Sequence, residues 1–321
     1  MKYRYLHLSL FFVLCFFACQ PADDSSPLIG FADAFEDETI GQAREGFVAA
    51  LAEQGFSEND KTIRIQYRNA QGDIPTLTQM VNYFISEKVD LIASNTTLAT
   101  ITAIQRTSEI PVFMMVSPEP SLINVVDDAG DAPKNLFGVA ESLDYIDTAF
   151  ALIPEFVKPK KDQIVIGMVY NQSEPQSVNA LERMRENARQ LGVVIEALPL
   201  NNSAEAQLVT TSLLDKGIDA FFANPDNTVF AAFETIVKNC NEKNVPIFTS
   251  ESGLVERGAV AAFGADIYAW GYQAGIQAAK FLEGDKVGQL AIERVKVRKR
   301  VFNPDAAKHF GYTFPEGFEA I

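Results

Sequence analysis

The chain has 321 residues, of which 47% are hydrophobic and 21% are charged, and its formal net charge is −15. The length exceeds the ~100–200 residues of one typical domain and favours two globular units, while the composition excludes a disordered chain and an integral membrane bundle. The acidity argues strongly against binding to nucleic acid and against direct adhesion to anionic lipid.

Residues 1–18 have the character of a secretory signal peptide. Lys2 and Arg4 are basic, and the apolar run 6–17 is shorter than the ~20 residues that a membrane-spanning helix needs. Residues 16–19, Phe-Phe-Ala-Cys, resemble a bacterial lipobox. This resemblance implies cleavage before Cys19 and lipidation of its thiol, with simple cleavage or an uncleaved anchor as the alternative. The polar segment 19–27 would then be a tether.

Short apolar segments alternate with helix-period segments along the rest of the chain, which is typical of βαβ units around a parallel sheet. The first group of predicted strands covers 28–33, 62–68, 90–94, 112–116 and 136–140, with helical faces at 40–51, 77–85 and 98–104. The second group covers 163–170, 193–198, 219–223, 246–249 and 259–264, with helices near 176–190, 204–215 and 228–242. A helix at 267–283 and a half-exposed edge strand at 293–302 follow.

The two groups of elements repeat the same pattern. Residues 28–31 (Leu-Ile-Gly-Phe) recur as 165–168 (Val-Ile-Gly-Met), and 110–113 (Ile-Pro-Val-Phe) recur as 245–248 (Val-Pro-Ile-Phe). The repetition predicts an α/β fold with two doubly wound, Rossmann-like lobes and a cleft between them. We expect lobe 1 at 28–140 plus 265–286 and lobe 2 at 141–264 plus 287–321, so that the chain crosses between lobes more than once.

Few residues suited to covalent or metal chemistry remain outside the signal peptide. Cys240 continues an apolar helical stripe and is predicted to be a buried, inert thiol, and His309 is the one remaining histidine. A Ser-His-Asp or Cys-His mechanism and a multi-histidine metal site are therefore nearly excluded. The segments 32–38 and 171–177 lack the glycines of a dinucleotide-binding turn. We expect no enzyme activity, catalytic residue, cofactor or metal.

Five short motifs carry a resemblance to a known family. They are Ala-Arg-Glu-Gly-Phe at 43–47, Asn-Ala-Gln-Gly-Asp at 69–73, Lys-Val-Asp-Leu-Ile at 88–92, Asp-Asn-Thr-Val at 226–229 and Val-Glu-Arg-Gly-Ala at 255–259. In this order and spacing they resemble the motifs of bacterial ABC-transporter substrate-binding lipoproteins of the tryptophan/tyrosine-binding type. The resemblance covers 28–320 and implies a type I periplasmic-binding-protein fold, in which three hinge strands join two lobes that close on a ligand.

Ligands of parallel wound sheets bind outside the carboxyl ends of the strands, where loops converge and helix N-termini present free N–H groups. Six loops satisfy this rule here, three in each lobe. They contain the candidate ligand-binding residues Phe35, Glu36, Asn95, Thr96, Thr97, Ser117, Asn171, Ser173, Glu174, Asp226, Asn227, Glu251 and Ser252.

Several of these residues have an equally ordinary structural explanation. The segment 95–97 could bind a ligand carboxylate or cap a helix. Glu174, Asp226 and Glu251 could pair with a ligand ammonium group, or could cap helices and be solvated. Phe35 could stack on the ligand or pack against the helix that begins near Asp37.

The leading hypothesis is a monomeric receptor outside the cytoplasm, lipid-anchored to the cell envelope, that captures a small amino-acid-like ligand, with an aromatic amino acid among the options. It would deliver this ligand to the permease and ATPase of an ABC importer, and no nucleic acid is expected as a partner. The alternative is a ligand-sensing lipoprotein for a different small solute, partnered with a membrane signalling receptor.

Overall fold

The computed structural model describes residues 26–286 and 289–321, so the predicted signal peptide and Cys19 lie outside the described residues. The first part of the chain forms β1 (Leu28–Asp33), α1 (Glu38–Glu53), β2 (Arg64–Asn69), α2 (Ile74–Ser86), β3 (Leu91–Asn95), α3 (Thr97–Arg106), β4 (Val112–Met114) and β5 (Leu136–Ala140). Strands and helices alternate here as the hydrophobic pattern predicts.

The second part begins with two short helices and repeats the alternation. Its elements are α4 (Tyr145–Ala151), α5 (Ile153–Phe156), β6 (Val165–Tyr170), α6 (Pro175–Leu191), β7 (Val194–Pro199), α7 (Ala206–Leu214), β8 (Ala220–Ala223), α8 (Asn227–Ala231), α9 (Phe233–Glu242), β9 (Ile247–Glu251), α10 (Ser252–Glu256) and β10 (Ala261–Ala265). The remaining elements are α11 (Ile267–Leu282), β11 (Ile292–Arg294), β12 (Arg298–Phe302), α12 (Pro304–Phe310) and β13 (Glu319–Ala320).

These strands form two sheets. The first has the order β11-β5-β4-β3-β1-β2 and the second the order β13-β12-β10-β9-β8-β6-β7. All neighbouring strands are parallel except β10 and β12, which are antiparallel. The predicted α/β class with two doubly wound lobes is therefore confirmed.

The chain passes between the two sheets three times. It leaves the first sheet after β5, returns after β10 and leaves again after β11. The single strand predicted at 293–302 is wrong, because β11 pairs with β5 of the first sheet whereas β12 pairs with β10 of the second. The alternation of charged residues and valine in 293–302 runs through both β11 and β12. The segment between the two strands has no sequence pattern that marks a crossover. The lobe boundaries proposed from the sequence stay a prediction, with β11 adding to the first sheet.

Two other expectations differ locally from the structure. The helix predicted at 228–242 is interrupted at Ala232, whose ψ of 5° departs from helical geometry, and it becomes α8 and α9. The short helices α4, α5, α10 and α12 and the strand β13 were not predicted. Cys240 is buried in the core of the second sheet, as predicted, and burial raises the pKa of its thiol. Among the described helices, none combines the length and the apolar character needed to cross a membrane.

Helices α1 and α11 pack at very short distance on the first sheet and fix the position of Trp270. A Cβ atom on Gly271 would lie 1.8 Å from the backbone oxygen of Ala43, and one on Gly46 would lie 2.0 Å from that of Tyr268. Real Cβ atoms never approach backbone this closely, so glycine is required at both contacts.

We therefore expect Gly271→Ala to destabilise the protein by about 3 kcal/mol, because overpacking forces two helices apart. Gly41→Ala is the matched control: it lies in α1 with no atom within 4 Å of the added Cβ, and should stabilise the helix by up to about 1 kcal/mol. Urea denaturation of both variants measures the difference. Equal stabilities would show that α1 and α11 can separate without cost.

Candidate functional site

The carboxyl ends of the strands in both sheets face a common cavity, which we call the inner cavity. In this arrangement of the lobes its cavity volume is about 30 Å³. The first sheet, the first crossover, the second sheet and α11 all contribute to its wall, which consists of Thr97, Val116, Ser117, Pro118, Glu141, Leu143, Tyr145, Gln176, Pro225, Asp226, Asn227, Phe230, Glu251 and Trp270. A ligand held here would contact both lobes at once.

A larger, more polar space, the outer cavity, lies beside the inner one. Its wall includes residues adjacent in sequence to inner-wall residues, such as Leu98 beside Thr97 and Thr228 beside Asn227. Amide and hydroxyl groups of Asn171, Ser173 and Asn201 line its second-lobe side. The two cavities are therefore close neighbours.

The predicted site residues divide between these two spaces. The inner cavity receives Thr97, Ser117, Asp226, Asn227 and Glu251, and the outer cavity receives Phe35, Glu36, Asn171, Ser173 and Glu174. The remaining three predicted residues line neither wall: these are Asn95, Thr96 and Ser252.

These three residues have other positions near the cleft. The Asn95 side chain donates to the backbone oxygen of Ile40 at 3.0 Å and so ties β3 to α1. Ser252 lines a separate space between α10, α1 and β12. Thr96 is buried and precedes α3.

Asp226 is engaged entirely within the second lobe. Its Oδ1 accepts the N–H groups of Thr228 at 2.8 Å and Val229 at 3.0 Å, which caps α8. Its Oδ2 accepts the Asn171 N–H at 2.7 Å and the Ser177 hydroxyl. Of the two roles that the sequence left open for Asp226, capping is the one visible in these contacts.

Glu174 is surrounded by donors in the same way. Its Oε2 accepts the Asn227 side-chain amide at 2.7 Å and also the Gln176 amide, while its Oε1 accepts the Thr228 hydroxyl at 3.2 Å. Burial and, next, the nearby Asp226 charge raise the pKa of Glu174 to about 8. Glu174 and Asp226 together hold the loops before α6 and α8 against each other.

Glu251 differs because only one of its oxygens is engaged. Its Oε1 accepts the Tyr145 hydroxyl at 2.7 Å and the Ser250 hydroxyl at 3.2 Å, while Oε2 is buried without a hydrogen-bond partner. Burial raises the pKa of Glu251 to about 7. The buried Oε1 of Gln176 also lacks a partner. The inner cavity is therefore lined by two buried acceptors that lack donors, which is costly unless a donor arrives.

Sequence reasoning missed Glu141, a further buried carboxylate of the inner cavity. It follows β5 at the first crossover, and one of its oxygens accepts the Leu143 N–H. Burial and, to a lesser extent, the Glu251 charge raise the pKa of Glu141 to about 8. The rule that selects the carboxyl ends of strands also covers this position, but the loop after the fifth strand was not among the six chosen.

The cavity also has an apolar wall that the sequence did not separate from ordinary core. The rings of Tyr145 and Trp270 meet edge to face with centroids 5.5 Å apart, and Phe230 adds a third ring. Their positions on helical faces resemble those of core residues. Low polarity around Glu141 and Glu251 strengthens any electrostatic interaction that these carboxylates make.

The start of α3 is open to the inner cavity. No side chain caps this helix, and Thr97, its first residue, lines the cavity wall. Thr96 has φ 84°, an unusual value for a β-branched residue, and its buried hydroxyl lacks a partner. Free N–H groups and the helix dipole favour an anion at such a position.

Comparison with known proteins agrees with this geometry. Residues 29–320 match a family model described as ABC transporter substrate binding protein. The chain is 30% identical to a tyrosine-binding protein from Clostridioides difficile (strain R20291) over 280 residues, which cover 87% of this chain and 79% of that protein. The resemblance drawn from the five motifs is thereby confirmed.

Solved structures show the same fold. A domain in complex with L-Trp from Streptococcus pneumoniae has a TM-score of 0.82 and 25% identity, covering 92% of this chain and 100% of that one. A conserved domain protein from Vibrio cholerae also scores 0.82, with 26% identity and coverage of 92% and 99%. The ligand-free, open structure of a substrate-binding protein from Clostridium difficile scores 0.66, with 29% identity and coverage of 92% and 99%.

The raised pKa of Glu141 predicts how stability depends on pH. Folded Glu141 holds its proton up to about pH 8, whereas an unfolded carboxyl loses it near its ordinary value of 4.5. Between these values the folded state binds more protons, so the ligand-free protein should become less stable as pH rises, with Glu141 alone contributing up to about 1.4 kcal/mol per pH unit. Glu174 and Glu251 act in the same direction.

Denaturation at a series of pH values tests this, with Glu141→Gln as the key variant. Glutamine keeps an acceptor for the Leu143 N–H but does not titrate. The decrease of the unfolding free energy with pH should therefore become shallower without disappearing. Glu186→Gln, at an exposed position on α6, is the control and should leave the slope unchanged. Stability that rises with pH over this interval would contradict the assignment.

Proposed function

Because the chain belongs to the family of ABC transporter substrate-binding proteins, we propose that it captures an amino-acid-like solute, carrying both an ammonium and a carboxylate group, in the inner cavity. The unpartnered Oε2 of Glu251 is the observation that carries this proposal. The relatives are binding proteins, and capture of this kind needs no covalent chemistry.

The ammonium group is assigned to the carboxylate side of the inner cavity. A protonated amine brings three donors and one positive charge. It can donate to Glu251 Oε2 and Gln176 Oε1, and its charge favours the ionised forms of Glu251 and Glu141. Glu174 and Asp226, which the sequence also suggested as ammonium partners, already accept hydrogen bonds on both oxygens, so we assign them a bracing role.

The ligand carboxylate is assigned to the start of α3, where Thr97 lines the cavity and no side chain caps the helix. Ser117, from the first lobe as well, lies in the same wall. This arrangement places the anionic group on lobe 1 and the cationic group on lobe 2. Such a ligand stabilises the closed arrangement because it has partners on both sides.

The rest of the wall suits an aromatic side chain, for which the cavity, at about 30 Å³, has to widen. Trp270, Tyr145 and Phe230 supply ring surfaces, and similar proteins are a tyrosine-binding protein and a domain in complex with L-Trp. The higher TM-score against that complex than against an open, ligand-free relative of similar identity supports a closed arrangement of the lobes.

We further propose that the protein is exported and held at the cell envelope by lipid on Cys19, with 19–27 as its tether. The apolar run before Cys19 and the lipobox-like residues 16–19 support this assignment. Family membership supports an ABC permease and its ATPase as partners that receive the ligand.

A thermal-shift screen of the purified protein against the amino acids, sugars and nucleosides tests the ligand class. L-Tyrosine or L-tryptophan should raise the melting temperature by mass action. Stabilisation by a sugar together with failure of every amino acid would contradict the ligand assignment and leave the binding-protein assignment standing.

Substitution of the two acidic residues separates recognition from bracing. Glu251→Gln should weaken L-tyrosine binding by about 10–100-fold, the value of a charge-assisted hydrogen bond, and should leave stability nearly unchanged. Glu174→Gln should instead lower stability by about 1–3 kcal/mol. Its new side-chain N–H groups would face the Asn227 and Thr228 donors that bind the Glu174 carboxylate. Calorimetry and urea denaturation measure both quantities, and the reverse outcome would exchange the two roles.

A further inference from the structure

A second contact between the lobes lies outside the walls of the two cavities, between the start of α1 and the end of α10. Arg257 of the second lobe donates to Asp37 Oδ2 at 2.8 Å and to the Thr39 hydroxyl at 3.0 Å, both in the first lobe. The side chains of Arg257 and Asp37 are 11% and 2% exposed. A nearly buried ion pair thus joins the two lobes.

Apolar packing accompanies this ion pair. Ile40 is 1% exposed and is the only first-lobe member of a hydrophobic cluster whose other buried residues, including Phe230 and Leu254, belong to the second lobe, as far as the described residues show. Beside it, Thr39 touches Gly253, because a Cβ on Gly253 would lie 2.6 Å from the Thr39 methyl carbon. A side chain on Gly253 would therefore collide with Thr39 in this arrangement of the lobes.

None of Asp37, Thr39, Gly253 and Arg257 lines the inner or the outer cavity. These residues therefore do not contact a ligand held in either cavity, and they act on it through the surrounding protein. Arg257 belongs to the motif at 255–259, to which ligand recognition assigns no role.

Each member of the ion pair also has partners in its own lobe. Asp37 Oδ1 accepts the Ile40 N–H at 2.9 Å and caps α1, while Arg257 donates to the Phe230 backbone oxygen at 2.9 Å and to Glu234. Separating the lobes would expose both groups to water without leaving either one isolated. The pair can accordingly break and reform, unlike a buried charge that depends on a single partner.

We propose that Asp37, Thr39, Gly253 and Arg257 form a clamp that holds the lobes closed and sets how slowly the ligand leaves. The proposal rests on the proposed function in one respect, namely that the lobes open to release ligand. In this view Arg257 and Asp37 are positioning residues: they act on the ligand through lobe closure, not through contact.

The first test measures ligand release. The protein has one tryptophan, Trp270, in the wall of the inner cavity, so its fluorescence can report L-tyrosine binding. Asp37→Asn keeps a helix cap but removes the charge. We expect it to raise the dissociation rate of L-tyrosine by about tenfold with little change in the association rate. The matched control is Asp147→Asn, which breaks an Arg–Asp pair inside the second lobe and should leave both rates unchanged.

Steric substitution offers a second variant that does not remove a charge. Gly253→Ala places a methyl group against Thr39 only when the lobes are closed, so it should speed release of L-tyrosine without lowering ligand-free stability. In the double variant, Thr39→Ala removes the methyl group that collides with the one added at position 253. This variant should partly restore slow release. A Gly253→Ala variant that releases L-tyrosine like the wild type would count against the clamp.

A ligand-free test keeps the clamp separate from the proposed ligand. The Cβ of Thr39 lies 3.2 Å from the position of a Cβ on Gly253. This is a few tenths of an ångström inside the ~3.5–4.5 Å of a disulfide, so a small local shift allows the bond. In protein carrying Cys19→Ala, the pair Thr39→Cys and Gly253→Cys should form a disulfide on oxidation, and Asp37→Asn should slow its formation.

The outcomes of these tests are distinguishable. Absence of the disulfide, or identical behaviour of Asp37→Asn and wild type in both release and cross-linking, would overturn the clamp. If L-tyrosine fails to bind wild type while the cross-link forms and depends on Asp37, the ligand assignment falls and the clamp stands.

Discussion

Buried carboxylates at the junction of the lobes are the constraint around which the rest of this structure is arranged. Glu141, Glu174, Asp226 and Glu251 are all buried there, and none takes part in an ion pair among the described residues. A buried carboxylate without a cation must be hydrogen-bonded, protonated or neutralised by something that arrives. Glu174 and Asp226 are hydrogen-bonded, since protein donors surround them. Glu141, set against aromatic rings, holds its proton up to about pH 8, and Glu251 keeps one oxygen without a donor, which a ligand can engage.

This division separates recognition from closure. The inner cavity recognises charge with groups from both lobes, while the clamp at α1 and α10 adds contacts that are the same whatever the ligand is. A ligand then needs to supply only the free-energy difference between the open and closed states. Its residence time depends on contacts between the lobes in which the ligand takes no part. Glycines make this close approach possible at Gly253, just as they do where α1 meets α11.

Much of the fold was predictable because strands and helices of wound lobes leave local patterns. The duplicated strand at 165–168 lies where the repeat placed it, within β6. The predictions failed where the deciding interaction is distant in sequence: only pairing with β5 and with β10 divides 293–302 between two sheets. The same limit applies to the site. Loop position indicated Glu174, Asp226 and Glu251 alike, and only tertiary contacts show that Glu251 alone among them retains an oxygen without a donor.

Isothermal titration calorimetry with L-tyrosine and with N-acetyl-L-tyrosine tests ammonium recognition most directly. Acetylation removes the positive charge and two of the three donors but keeps the ring and the carboxylate. If Glu251, Gln176 and Glu141 recognise the ammonium group, L-tyrosine should bind and its N-acetyl derivative should bind at least about 10–100-fold more weakly. Equal affinity for the two compounds would contradict this assignment.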